Sequence, residues 1–250
     1  MDTLSYSEEL ALVRPNSRFK ASLRICSRTS PYEETEAASI LHEQELAYYR
    51  KLRFDRKRSF VLGRYCAKRA IAGYAGAEHF RPTQIWVQQG VFHQPVVMLQ
   101  RAAEPIQVTI THCGDLAAAI AFPEVHPMGI DLEKIDSNHA GAIESQITPL
   151  EKNILHGLSF EYETALTMLW TSKESLSKIL KTGLMTPFSV YEINQVEIKP
   201  NCMIASYTNF AQYSTLSFVL GRYMISITHP KRTGFKVNIP EIQRLFQASG

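Results

Sequence analysis

The sequence has few cysteines, only Cys26, Cys66, Cys113 and Cys202 among 250 residues. No two form a C-x-x-C pair, which argues against a zinc framework and for reduced, mostly buried thiols. Long apolar runs are also missing. The longest, Leu116 to Phe122, is strand-sized and far short of the ~20 residues a membrane helix needs. The opening segment MDTLSYSEELALVRPN shows no basic stretch followed by an apolar one, so no signal peptide is read. A cytoplasmic location with no membrane partner is the expectation. Low-complexity segments and long linkers are absent. With 45% apolar and 20% charged residues, the composition is that of a globular chain and not a disordered one.

Net charge is small, +3 at pH 7, but unevenly spread. Residues 50–69 hold Arg50, Lys51, Arg53, Arg56, Lys57, Arg58, Arg64, Lys68 and Arg69 against the single acid Asp55. Such density suits a polyanionic partner, whether nucleic acid, an anionic surface or a phosphorylated ligand, and equally a solvated helix face.

Apolar spacing predicts a helix over 33–50 and another over 60–74, closed by Gly73 or Gly76. Strands are predicted at 85–88, 95–99, 106–110, 116–122 and 128–132, with a polar turn over Thr111 to Asp115. Further on come a helix over 164–180 closed by Gly183, strands at 188–193, 197–198, 203–207, 214–219 and 223–228, and a short helix at 240–246. Residues 8–12 and 19–25 are strand-like. Gly114–Pro123 parallels Gly221–Pro230, and Phe60–Gly73 parallels Trp170–Gly183. Together these suggest a duplicated α+β unit, with halves 1–122 and 123–250. The string VLGRY, at 61–65 and 219–223, is not a repeat, because the first copy reads as helix and the second as a turn entering a strand.

Three segments carry chemistry. In Gly129-Ile130-Asp131-Leu132-Glu133 the two carboxylates are spaced i, i+2, so on a strand they face one side and suit a hard cation such as Mg²⁺. An acidic pair at a strand end is also commonly just solvated. In Trp170-Thr-Ser-Lys173-Glu174-Ser-Leu-Ser-Lys178, the i, i+4, i+8 spacing puts Trp170, Glu174 and Lys178 on one helix face. A large indole there argues that the acid and base are not merely an exposed pair. In Thr109-Ile110-Thr111-His112, threonine and histidine beside backbone N–H groups suit a phosphate. A packed or capping histidine is the plainer alternative.

These segments resemble the Sfp-type 4′-phosphopantetheinyl transferase superfamily. Its G-[IV]-D-x-[EQ] segment is matched by 129–133 and its W-[ST]-x-K-E-[SA]-x-x-K helix by 170–178. Its G-R-x-x-[AC] helix core is matched by 63–67 and its [ST]-x-[ST]-H turn by 109–112. The match spans residues 50–190 in the family's order. The resemblance implies an α+β fold of two similar subdomains in pseudo-twofold arrangement, with the active site in the cleft between them. It implies coenzyme A as substrate and Mg²⁺, or Mn²⁺, held by Asp131, Glu133 and Glu174. Glu174 is the implied base and Lys178 the group that stabilises or protonates the leaving oxygen. The implied coenzyme A contacts are Arg53, Arg56, Arg64, His93, Gln94, Pro95, Thr111, His112, Asp131, Lys173 and Lys178. The implied acceptor is a serine of an acidic apo acyl or peptidyl carrier protein, and a monomer is expected. One departure lies at Gly90-Val-Phe-His93-Gln94-Pro95, where the family's G-x-x-G-[KR]-P carries a cation and Gln94 carries none. Two other readings stand beside this one: a degenerate homologue that binds coenzyme A or carrier without reacting, and a basic nucleic-acid-binding module. The second finds no recognised nucleic-acid motif to support it.

Overall fold

The structure, a computed structural model, describes residues 3–76, 81–99 and 105–247. The chain divides into two compact units, Met1–Pro127 with Gly234–Val237, and Met128–Thr233 with Asn238–Gly250. Both mix helix and antiparallel sheet, so the α+β expectation holds.

The first unit opens with β1 (Leu4–Arg14) and β2 (Ser17–Ser27), a long hairpin in full register. Next come α1 (Glu34–Ile40), α2 (Glu43–Lys51), α3 (Phe54–Tyr74), the hairpin of β3 (Ile85–Gln89) and β4 (Pro95–Leu99), and the hairpin of β5 (Ile106–Cys113) and β6 (Leu116–Pro123). The sheet runs β1-β2-β6-β5, and α3 lies across β2, β5 and β6. The small, fully buried Ala117, Ala119 and Ala121 belong to the same apolar cluster as Val61, Leu62, Cys66, Ala67, Ala70 and Ile71 of the helix. The sheet's alanines make room for the larger Val61, Leu62 and Ile71 of the helix to pack against them.

The second unit contains β7 (Gly129–Lys134), α4 (Ala140–Glu144), α5 (Pro149–Gly157), α6 (Tyr162–Leu180), β8 (Ile193–Ile198), β9 (Met203–Tyr207), β10 (Tyr213–Leu220), β11 (Tyr223–Pro230) and α7 (Ile239–Gln247). Its sheet runs β7-β11-β10-β9-β8, with α6 against β7, β10 and β11. No described helix is long and apolar enough to cross a membrane.

Several boundaries differ from the sequence reading. The helix predicted over 33–50 is two helices, broken at Leu41 and His42, where His42 caps α2 and Glu45 closes a capping box. Helix α3 begins at Phe54, six residues before the predicted start at Phe60, because its first turn is largely exposed, Phe54 included, and adds nothing to the buried apolar periodicity. Thr111, His112 and Cys113 continue β5 by pairing with Ala118, Ala117 and Leu116, so the turn shrinks to Gly114-Asp115, with Gly114 at φ +60°. Residues 188–191 form a 3-10 turn ahead of β8. Helix α6 ends on Lys181 in the left-handed conformation, ahead of Gly183.

Candidate active site

The second unit brings Asp131, Glu133, Glu174 and Lys178 together, and Gly129 makes this possible. A Cβ at that position would lie 2.0 Å from the Ser175 carbonyl oxygen. Only glycine lets β7 pass directly beneath α6. One residue on, the Ile130 carbonyl accepts from Lys178 Nζ at 2.8 Å, and the same ammonium pairs with Asp131 Oδ1 at 2.8 Å.

The helix face toward the sheet is built from small hydroxyls. Thr171 shares a hydrogen bond with Ser226 at 2.7 Å, Ser175 with Thr228 at 2.5 Å and Ser172 with Ser217 at 3.2 Å. Tyr207 donates to the Ser172 carbonyl at 2.8 Å. All these groups are buried and partnered, which satisfies the demand that low-dielectric burial makes on polar atoms. Ser226 also stands opposite Asp131 in the β7–β11 register. The ladder therefore ties α6 to the strand flanking the acid.

Trp170, Glu174 and Lys178 are half-buried along one face of α6, as the spacing predicts. The Glu174 carboxyl is pushed up to about 7, first by burial, then by the Asp131 carboxylate and further by Glu133, with Lys178 opposing. The carboxylates are thus close enough to repel one another. Among the described residues, no three His, Cys, Asp or Glu side chains converge tightly enough to hold a metal ion as they stand. The donor chemistry nevertheless fits a hard divalent cation, since three carboxylates beside one another offer oxygen ligands and a charge deficit. One turn along the same face, a cavity of about 580 Å³ is lined by Trp170, Phe188, Met185, Pro187, Gln146 and Thr186 among others. The Trp170 and Phe188 rings stack at 4.5 Å and 3°.

Lys173 lies elsewhere. Its ammonium is buried at 1% exposure against Glu151 at 2.7 Å, and its remaining described bond goes to the Gln146 carbonyl at 3.3 Å. It faces the unit's interior and not the surface of Glu174. Glu151 is the residue that sequence reasoning missed, although Thr148-Pro-Leu-Glu151 is a capping-box signature with proline at the first helical position.

The candidates of the first unit are dispersed. Arg64 reaches inward to Glu45 at 3.2 Å and lies over the Phe60 ring. Lys68 is buried against Glu45. Arg58 donates to the Thr29 and Gly114 carbonyls, and Arg50 pairs with Glu34. Arg58, Arg64 and Lys68 of the basic stretch are therefore structural. Arg53 and Arg56 are exposed, Arg53 beside Asp55 at 3.4 Å. In the β3–β4 turn His93 adopts φ +61° and bonds Gln89, while Gln94 accepts from the Phe92 N–H and Pro95 starts β4. Thr111 is buried and His112 exposed on β5, with His112 against Gly63 of α3, where a Cβ would meet its ring at 3.3 Å.

The family described as the 4′-phosphopantetheinyl transferase superfamily matches residues 127–228, the span that carries every one of the converging groups. This span is thus similar to that superfamily. Over 99 residues the chain is 31% identical to the enterobactin synthase component D of Escherichia coli O157:H7 and of Shigella flexneri. That stretch is 38% of this chain and 47% of each relative, so the chain spans about half the length of the curated relatives it matches. Among solved structures, a holo-(acyl-carrier-protein) synthase from Bacillus anthracis str. Ames in complex with CoA (3′,5′-ADP) is 20% identical, with a TM-score of 0.34 over 45% of this chain and 96% of that one. A holo-[acyl-carrier-protein] synthase from Thermotoga maritima is 19% identical, with a TM-score of 0.37 over 52% and 74%. Within that span, the G-I-D-L-E segment lies in β7 and the W-T-S-K-E-S-L-S-K segment in the C-terminal half of α6.

Proposed function

We propose that this chain transfers 4′-phosphopantetheine from coenzyme A to a serine hydroxyl of an apo acyl or peptidyl carrier protein, releasing adenosine 3′,5′-bisphosphate. The observation that carries the reading is the convergence of Glu174 and Lys178 of α6 on Asp131 of β7, within the span that matches the superfamily. Three carboxylates and one ammonium in a half-buried cluster have no need to exist for folding alone. Their mutual repulsion works against it.

Asp131, Glu133 and Glu174 would hold Mg²⁺. When bound, the ion would offset charge on the coenzyme A diphosphate, the main demand in phosphoryl transfer. Glu174 would accept the proton of the carrier serine. The serine oxygen would form its bond to the β-phosphorus as the bond to the departing bisphosphate breaks. Lys178, held by Asp131 and the Ile130 carbonyl, would meet the charge that develops on the leaving oxygen. The cavity beside Trp170 would receive the uncharged pantetheine arm, whose methyl and amide groups suit aromatic walls with Gln146 and Thr186 at the edge. From the first unit, Thr111, His112, Arg53 and Arg56 are the proposed phosphate contacts, with His93, Gln94 and Pro95 toward the nucleotide. Arg64 would contribute only through its exposed edge. The remaining proposals are an acidic carrier, a cytoplasmic location and action as a monomer.

Incubation of the full chain with an apo carrier protein, coenzyme A and Mg²⁺, followed by intact-mass measurement, tests the reading. The expected result is carrier mass increased by one phosphopantetheine. The increase should be absent with Glu174→Gln and absent after exhaustive chelation. Unmodified carrier across a panel of apo acyl and peptidyl carriers would overturn it, as would undiminished transfer by Glu174→Gln.

A further inference from the structure

The same buried lock occurs once in each unit. In the second, Glu151 is wholly buried at the start of α5. Its Oε2 accepts from the Thr148 N–H at 2.8 Å and from Lys173 Nζ at 2.7 Å, and its Oε1 accepts from the Ile193 N–H at 2.9 Å. Lys173 also donates to the Gln146 carbonyl. In the first, Glu45 of α2 accepts from the His42 N–H at 2.9 Å, from Lys68 Nζ at 2.5 Å and from the Val87 N–H at 3.1 Å. Lys68 also donates to the Ile40 carbonyl at 2.8 Å. The glutamate-to-strand separation is 42 residues in both, and the carbonyl-to-lysine separations are 28 and 27. Each lock pins a capping-box helix, a long helix and a strand to one carboxylate.

What differs is the neighbour. In α6 the residue after Lys173 is Glu174, about 100° further round the helix. In α3 the residue after Lys68 is Arg69. Asp131 stands opposite Ser226 on β11, and the residue in the corresponding place is Arg24, opposite Ala119 on β6. The first unit therefore has the lock without the acids.

We infer that Glu151 and Lys173 are positioning residues that fix the azimuth of α6 and so hold the Glu174 carboxylate beside Asp131. This inference rests on the reading of Glu174 given above. A helix side chain reaching ~6 Å from its axis sweeps about 1 Å for a rotation of ~10°. A displacement of that size is enough to cost about a hundredfold where reacting groups must align. The hydroxyl ladder of Thr171, Ser172 and Ser175 resists sliding against the sheet, and the Lys173 anchor lies next in the chain to the acid it orients.

The first unit's lock is an internal control. Full-length Glu151→Gln and Glu45→Gln are compared with wild type by thermal melting, by Mn²⁺ titration followed by electron paramagnetic resonance without coenzyme A, and by steady-state transfer well below all melting temperatures. Both variants should melt lower by comparable amounts, since both strand a buried lysine. Only Glu151→Gln should weaken Mn²⁺ binding, by roughly 10–100-fold, with kcat falling by a similar factor and KM for coenzyme A within about twofold. The double variant Glu151→Gln with Lys173→Met removes both charges at similar volume. It should regain most of the melting temperature without regaining Mn²⁺ affinity, and it replaces the single variant if that one does not fold. Equal Mn²⁺ affinity in wild type and the second-unit variants overturns the inference alone, as does an equal loss in Glu45→Gln. Wild-type protein that binds no Mn²⁺ and transfers nothing overturns the functional reading and this inference with it.

Discussion

Replacing Glu174 by glutamine should abolish transfer and stabilise the protein, and the stabilisation should depend on pH. The Glu174 carboxyl is held at about 7 by burial and by the Asp131 and Glu133 carboxylates, against an ordinary value of 4.5. A folded-state value above the unfolded one means that the fold prefers the protonated acid. Its contribution to stability is fully present below pH ~4.5 and is lost as pH rises through about 7. At pH 8 the folded protein carries a carboxylate it would rather not ionise. The full shift corresponds to ~3 kcal/mol, and screening of the half-exposed group brings the expected figure to about 1–2 kcal/mol. Glutamine keeps the volume and removes the charge. The measurement is urea unfolding of both proteins in chelator from pH 4.5 to pH 8. Glu174→Gln should be more stable at pH 8 by that amount and equal to wild type near pH 4.5. Added Mg²⁺ should stabilise wild type more than the variant, because an ion that binds only the folded state raises its stability by mass action. A variant no more stable at pH 8, or equally favoured at pH 4.5 and pH 8, refutes the claim that burial and the neighbouring carboxylates disfavour the ionised acid at this site.

Gly129→Ala forces a Cβ to within 2.0 Å of the Ser175 carbonyl, so α6 must lift from β7; a loss of about 3 kcal/mol in urea unfolding is expected, and wild-type stability would refute the close-approach argument. Arg56→Ala should leave stability within ~0.5 kcal/mol while raising KM for coenzyme A or the carrier, whereas Arg64→Ala should cost about 2 kcal/mol or more through its pair with buried Glu45. Equal stability effects at the two arginines would refute the division of the basic stretch into ligand-facing and structural halves. Burial raises the Tyr207 phenol well above its ordinary value, so its contribution is fully present below pH ~10 and is lost as pH rises above that point; Tyr207→Phe should flatten the alkaline arm of the stability profile, and an unchanged slope would count against it.

The site was legible in the sequence where chemistry and periodicity coincide. Asp131 and Glu133 at i, i+2, and Trp170, Glu174 and Lys178 at i, i+4, i+8, each declare a shared face whatever packs around them. The union of the two faces was not readable from spacing alone, because it depends on Gly129 passing under Ser175 and on hydroxyls that read as an ordinary polar surface. The inward turn of Lys173 was hidden for a related reason. A lysine beside a catalytic-type glutamate reads as a ligand group, and only Glu151, twenty-two residues away, pulls it inward. The break at Leu41–His42 was hidden because histidine is a poor capping signal, and the capping box closes through its ring nitrogen and Glu45.

The apparent repeat is real in the frame but shifted in the helix. Pairing Phe60–Gly73 with Trp170–Gly183 matches Lys68 to Lys178, whereas the two locks match Lys68 to Lys173. The strand register sets Arg24 where the second unit has Asp131, and the lock alignment sets Arg69 where it has Glu174. The Cys26 thiol is lowered first by its bond to Cys66, against burial, and to a smaller extent by both arginines. One frame thus carries acids in one unit and arginines in the other. Burial of the lock glutamate and lysine accounts for why those two residues recur. It places no such demand on the half-buried positions beside them, which is where the chemistry diverged.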